Sequence, residues 1–118
     1  MRIIAKAPCR VDLAGGTLDI WPLYLYHPGT VTVNFAVDLY AGCSLSTRPD
    51  KQIVLRSLDL DAQETFPSLE ALRASRTYIL PLHAHLLRFF SPWTGIDIET
   101  TSGAPAGAGL AGSSTMII

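Results

Sequence analysis

The 118-residue chain has little charge imbalance. Nine Lys and Arg stand against ten Asp and Glu, for a formal net charge of −1. That balance gives no electrostatic reason to expect nucleic acid or an anionic membrane surface as a partner. Cysteine is nearly missing. Cys9 and Cys43 are the only two, too few and too far apart for a disulfide framework or a zinc signature. No stretch approaches the about 20 apolar residues of a membrane span, and Met1-Arg2-Ile3-Ile4 lacks the long apolar region of a signal peptide. Internal repeats and low-complexity tracts are absent as well. The expectation is a cytoplasmic protein in a reducing compartment, with no nucleic acid and no membrane among its partners. With 48% hydrophobic residues, the chain has the apolar material for a core.

Against this background the most informative segment is Pro105-Ala-Gly-Ala-Gly-Leu-Ala-Gly-Ser-Ser114. Gly107, Gly109 and Gly112 free the backbone for positive φ and for close approach to a ligand. Ser113 and Ser114 follow where a helix is expected to begin. A helix start presents unpaired N–H groups and the positive end of its dipole, so the segment reads as a phosphate cradle. A serine hydroxyl beside it is placed to reach Mg²⁺. The dinucleotide-binding reading of Gly107-x-Gly109-x-x-Gly112 fails. It needs a hydrophobic strand running straight into the first glycine and an acidic residue about 20 positions on. Here the approach, Thr100 to Ala106, is polar and broken by Pro105, and the acidic residue has no counterpart. The Walker loop fails because no lysine precedes Ser113. A Gly/Ala/Ser-rich disordered segment is the remaining alternative.

A second motif lies near the N-terminus, Lys6-Ala-Pro-Cys-Arg10-Val-Asp-Leu-Ala-Gly-Gly-Thr-Leu-Asp19. Arg10 to Ala14 begins with the polar/apolar alternation of a half-buried strand, and Gly15-Gly16 breaks it. Asp19, just past the break, is either a carboxylate for sugar hydroxyls or, like Thr17, a helix N-cap. Arg10, and Lys6 with it, is a cation suited to charge developing on a transferred phosphoryl group. The other reading of Arg10 is a salt bridge with Asp12 or Asp19.

The chain divides into a strand-rich first half and a second half with helical signals. Strands are expected at Ile3–Ala5 and Arg10–Ala14, as one hairpin bent at Pro8, then at Val31–Tyr40, Ala41–Thr47 and Gln52–Ser57. Leu18–His27 holds Pro22 in a first-turn helix position or a loop. Trp21, Tyr24 and Tyr26 either line a sugar pocket or, as is more common for aromatics, pack in the core. Ser68 caps a helix through Ala74, with Glu70 in its first turn. Tyr78–Phe90 is a second helix carrying Leu82, Leu86, Phe89 and Phe90 at helical spacing. His83 and His85 lie two apart on different faces of it, which argues against shared metal ligation and for surface or partly packed histidines. Gly95–Thr101 is the strand that leads into the glycine loop, with Asp97 and Glu99 on its solvent face. This order reads as α+β rather than a regular βαβ alternation.

Taken together, the two motifs resemble those of the GHMP kinase family. Ala7 to Asp19 is similar to the first family motif in its sugar-kinase form, usually Ala-Pro-Gly-Arg-[Ile/Val]-Asn-[Leu/Phe]-x-Gly followed shortly by Asp. Pro105 to Ser114 is similar to the second, usually Pro-x-x-x-Gly-Leu-Gly-Ser-Ser. Val33 to Tyr40 resembles the strand after the first motif in heptose- and fucose-type members. Three positions depart from the usual form: Cys9 for Gly, Asp12 for Asn, and the extra Ala111. The resemblance implies a ribosomal protein S5 domain 2-like fold for residues 1–118, as the ATP-binding N-terminal domain of a sugar kinase. It implies truncation too, since the third motif, the catalytic aspartate and the C-terminal domain have no counterpart in these residues.

The roles implied are those of an ATP-dependent kinase acting on a hydroxyl of a sugar or sugar phosphate, with ATP and Mg²⁺ as cofactors. Pro105, Gly107, Ala108, Gly109, Leu110, Ala111, Gly112, Ser113 and Ser114 would hold the ATP phosphates, and Ser114 or Ser113 the metal. Gly16, Thr17 and Asp19 would bind the sugar-like substrate, and Arg10 would be catalytic. The 118 residues alone are expected to be inactive. A non-catalytic nucleotide- or sugar-binding remnant, and a structural fragment needing a partner segment to fold, stand as alternatives. Self-association through an uncovered apolar surface is expected of a truncated sheet.

Overall fold

The computed structural model describes residues 1–16, 18, 20–105, 109, 110 and 112–116, apart from the side chains of Ser113 and Ser114. Thr17, Asp19, Gly107, Ala108 and Ala111, all named above as site residues, lie outside the described residues. The elements are β1 (Arg2–Ala14), α1 (Leu23–Tyr26), β2 (Val33–Arg48), β3 (Ile53–Ser57), β4 (Ala62–Phe66), α2 (Leu69–Ala74), α3 (Pro81–Phe90), β5 (Gly95–Ser102) and α4 (Gly112–Thr115). Two compact units divide them: Met1–Lys6 with Gly42–Ser102, and Ala7–Ala41 with Gly103–Ile118. β1 and β2 each contribute residues to both.

In the first unit the sheet runs β1-β2-β5-β3-β4. β3 pairs antiparallel with β4 and parallel with β5, in the register Ile53↔Ile96, Leu55↔Ile98, Ser57↔Thr100. Because strand side chains alternate between faces, these six residues share one face. That face carries the core, in which Ile53, Leu55, Phe66, Ile96 and Ile98 pack with Leu72 of α2 and Leu80, Ala84 and Leu87 at α3. A mixed sheet with helices on one face confirms the α+β class.

Two strands expected as pairs are single. β1 is assigned as one strand through Pro8, since a proline φ suits extended backbone and a terminal strand tolerates a missing N–H. β2 continues across Tyr40–Ala41, where the sequence holds no turn chemistry. β4 is an addition to the expected strands, because Ala62-Gln-Glu-Thr-Phe66 is mostly polar. Its signal is the Asp-rich turn before it, in which Asp61 takes φ 47°, a conformation that Asp tolerates better than most residues.

Ser68 caps α2 as expected, its Oγ accepting the Ala71 amide at 3.3 Å. In α3 the buried stripe is Leu80, His83, Ala84 and Leu87, at i, i+3, i+4 and i+7. Phe89 and Phe90 are exposed, and Leu82 and Leu86 are half-buried. The helix is apolar on several sides, so spacing alone allows either register. His83, expected at or near the surface, is buried at 7% exposure, with Nε2 2.8 Å from Thr100 Oγ1. Asp97 lies on the outer face as expected, tied to Arg56 at 3.0 Å and Arg48 at 3.6 Å. No helix among the described residues is long and apolar enough to cross a membrane.

Candidate functional site

The second unit contains both glycine motifs. The second half of β1 approaches the first with Cys9 fully buried and Arg10 outward. Arg10 Nε meets Asp12 Oδ1 at 3.2 Å, the side chains being 44% and 30% exposed. The salt bridge weighed for Arg10 is therefore formed with Asp12. Strand periodicity places i and i+2 on the same face, which is the local reason for the pair.

Gly15 ends the strand at φ 77°. A Cβ on it would lie 2.3 Å from the Val31 carbonyl oxygen, so this position requires glycine for both conformation and space. The Gly15 carbonyl accepts from the Leu18 amide at 2.9 Å and from Thr32 Oγ1 at 3.3 Å. Thr32, from the segment before β2, is a holder of this turn that sequence reasoning missed. Its only signal is a hydroxyl just ahead of a strand. Gly16 lies directly against the Asp12 side chain. Trp21, Tyr24 and Tyr26, for which core burial was the commoner expectation, are exposed.

The second motif is joined to the first through the main chain. The Arg10 amide donates to the Leu110 carbonyl at 3.4 Å. Gly103 donates its amide to Tyr40 O at 2.8 Å, holding the approach to the loop on β2. Gly109 has φ 70°, and a Cβ placed on it would meet nothing within 4 Å among the described residues beyond its chain neighbours. The backbone there is left-handed and open, as close approach of an anion requires. α4 begins at Gly112, with the Met116 amide returning to Gly112 O at 3.1 Å, close to the helix start expected at Ser113.

A metal bridging nucleotide phosphates needs only one or two protein ligands. Among the described residues no group of three or more His, Cys, Asp or Glu is placed to hold a metal ion. The side chains of Ser113 and Ser114, named above for the metal, lie outside the described residues. Arginine, open glycine backbone and a short helix start form a set suited to binding a phosphorylated ligand.

No family model matches the chain. It is 31% identical over 136 residues to the L-fucokinase/L-fucose-1-P guanylyltransferase of Bacteroides fragilis, an alignment taking in 94% of this chain and 14% of that protein. It is 29% identical over 119 residues to the D-glycero-alpha-D-manno-heptose 7-phosphate kinase of Campylobacter jejuni, covering 98% of this chain and 35% of the relative. Among solved structures, the D-glycero-D-manno-heptose 1-phosphate kinase from Bacteriodes thetaiotaomicron matches at TM-score 0.72 and 27% identity, over 99% of this chain and 39% of the other. The Lactococcus lactis galactokinase solved with galactose shares the fold at TM-score 0.70 and 16% identity, over 98% and 30%. The chain thus spans well under half the length of each of these relatives.

Proposed function

Because this chain belongs to the GHMP kinase family, we propose that the kinase built around it transfers the γ-phosphoryl group of ATP to a hydroxyl of a sugar or sugar phosphate. Residues 1–118 serve in it as the ATP-binding domain. The observation that carries this reading is the Arg10–Leu110 main-chain bond, which brings the strand of the substrate motif beside the glycine loop within one unit. The sugar and heptose kinases named among the relatives support the substrate class.

In this reading Pro105 to Ser114 encloses the ATP phosphates, with open backbone at Gly109 admitting them. Arg10 faces the reacting phosphoryl group, and Gly16, Thr17 and Asp19 orient the sugar. Ser114 or Ser113 would hold Mg²⁺, which when bound would neutralise phosphate charge. Transfer breaks the bond between the γ-phosphorus and its bridging oxygen and forms one to the sugar oxygen, whose proton leaves. No residue of these 118 is assigned to take that proton. The contribution of this segment is positioning and charge stabilisation.

The test is a thermal melt of the chain with and without Mg-ATP, repeated with Ser114→Ala. A cooperative transition that Mg-ATP raises, with the rise reduced by the substitution, is the expected outcome. A cooperative transition indifferent to Mg-ATP overturns the reading.

A further inference from the structure

We propose that Asp12 is a positioning residue for Arg10, holding the Nε edge of the guanidinium so that its two terminal nitrogens form a ready donor pair for a phosphate. This rests on the kinase reading above. Asp12 has a neighbour on two sides. Oδ1 lies 3.2 Å from Arg10 Nε, and a Cβ built on Gly16 would come within 2.9 Å of both Oδ2 and Cβ of Asp12. The carboxylate therefore sits between the arginine and the backbone of the glycine turn, in a space that only a residue without a side chain leaves open at position 16. The Arg10 main chain is in turn held by the hydrogen bond that its amide donates to the Leu110 carbonyl. Its Nη1 and Nη2 have no hydrogen-bond partner among the described residues.

An arginine fork matches a phosphate through two parallel N–H groups. A free arginine must lose rotamer freedom to use them, and this costs about 0.5–1.5 kcal/mol for a long side chain. Asp12 removes part of that cost in advance. Its own negative charge acts the other way, repelling an arriving phosphate. The pair is partly exposed, where charge interactions are screened and weak, and the carboxylate occupies the Nε edge rather than the terminal pair. Orientation therefore outweighs repulsion. The two effects separate by substitution, because Asn keeps an oxygen acceptor of the same shape and drops the charge, whereas Ala drops both.

The experiment is calorimetric titration of the full chain with Mg-ATP for the unsubstituted protein, Asp12→Asn and Asp12→Ala, together with the side-chain Nε–H NMR signal of Arg10. Asp12→Ala is expected to bind more weakly, by up to about tenfold, the fold-change for the whole of the ordering cost above. Asp12→Asn is expected to bind at least as well as the unsubstituted chain. The Arg10 Nε–H should exchange slowly with water in the unsubstituted chain and in Asp12→Asn, and rapidly in Asp12→Ala. Equal or tighter binding by Asp12→Ala overturns the positioning role and leaves the kinase reading standing. No binding by the unsubstituted chain overturns the kinase reading, and the positioning role with it. Should Asp12→Ala not fold, fast Nε–H exchange in the unsubstituted chain, or weaker binding by Asp12→Asn, overturns the proposal.

Discussion

The backbone amide of Arg10 and the backbone carbonyl of Leu110 are 3.4 Å apart, joining the strand of one glycine motif to the loop of the other. Both partners are main-chain groups, so the link depends on the path of the chain rather than on side-chain identity. It holds whether position 9 is Cys or Gly and position 12 Asp or Asn. The departures from the usual family motifs at those positions leave the join between them intact.

Gly109 is where the loop can be tested with little disturbance of the fold. Its φ is 70° and, among the described residues beyond its chain neighbours, no atom lies within 4 Å of an added Cβ, so there Gly109→Ala meets the backbone penalty of the left-handed region, about 1–2 kcal/mol. The substituted chain should stay folded while its affinity for Mg-ATP falls. Unchanged affinity by calorimetry would sink the phosphate role of this loop.

Gly15 and Gly29 form a natural control pair for the substrate turn. Both take positive φ, 77° and 84°, but an added Cβ at Gly15 would lie 2.3 Å from Val31 O, whereas at Gly29 it would meet nothing within 4 Å. Gly29→Ala should lose about 1 kcal/mol in urea unfolding, and Gly15→Ala clearly more, because backbone cannot move aside as a side chain can. Equal losses would mean that the Gly15 turn is not held against the Val31 backbone.

Much of this is legible in the sequence where local chemistry decides the outcome. Ser68 announces its cap, the Ile96/Ile98 alternation its strand, and Gly15-Gly16 the turn that ends β1. What the sequence hides is what tertiary contact decides. The α3 face differs from the expected one because apolar residues lie on several sides, and only the packed sheet selects Leu80, Ala84 and Leu87. His83 is buried rather than near the surface because of Thr100, seventeen positions on, which nothing in its neighbours reveals. At the site, the Arg10–Asp12 pair follows from strand periodicity, but Thr32 on the Gly15 carbonyl does not, since a lone threonine carries no spacing signal.

The cap on α2 yields a stability test remote from the site. Ser68 Oγ satisfies the Ala71 amide, and the Ser68 hydroxyl also draws the Glu70 carboxyl below its ordinary value. Ser68→Ala should cost about 1 kcal/mol in urea unfolding, with Mg-ATP affinity unaltered. A loss in affinity as large as the loss in stability would show the first unit to be coupled to the loop.

His83 makes stability depend on pH in a direction that can be worked out. Thr100 Oγ1 donates to Arg56 O at 3.3 Å, so it accepts from His83 Nε2–H, and Nδ1 is left buried without a partner. Burial pushes the imidazole below its ordinary 6.5, against a smaller upward pull from Asp59. Below pH 6.5 the unfolded chain takes up a proton that the folded chain refuses, so the folded state loses stability as pH falls through that value. Above it, both states are neutral and the contribution is flat. His83→Gln removes the titrating group, and subtracting its urea-unfolding free energy from that of the unsubstituted chain cancels every other titration. The difference should be constant between about pH 7.5 and 7 and shrink towards about pH 5. A difference that does not change with pH would mean that the ring is hydrated or finds an acceptor for its second proton when charged.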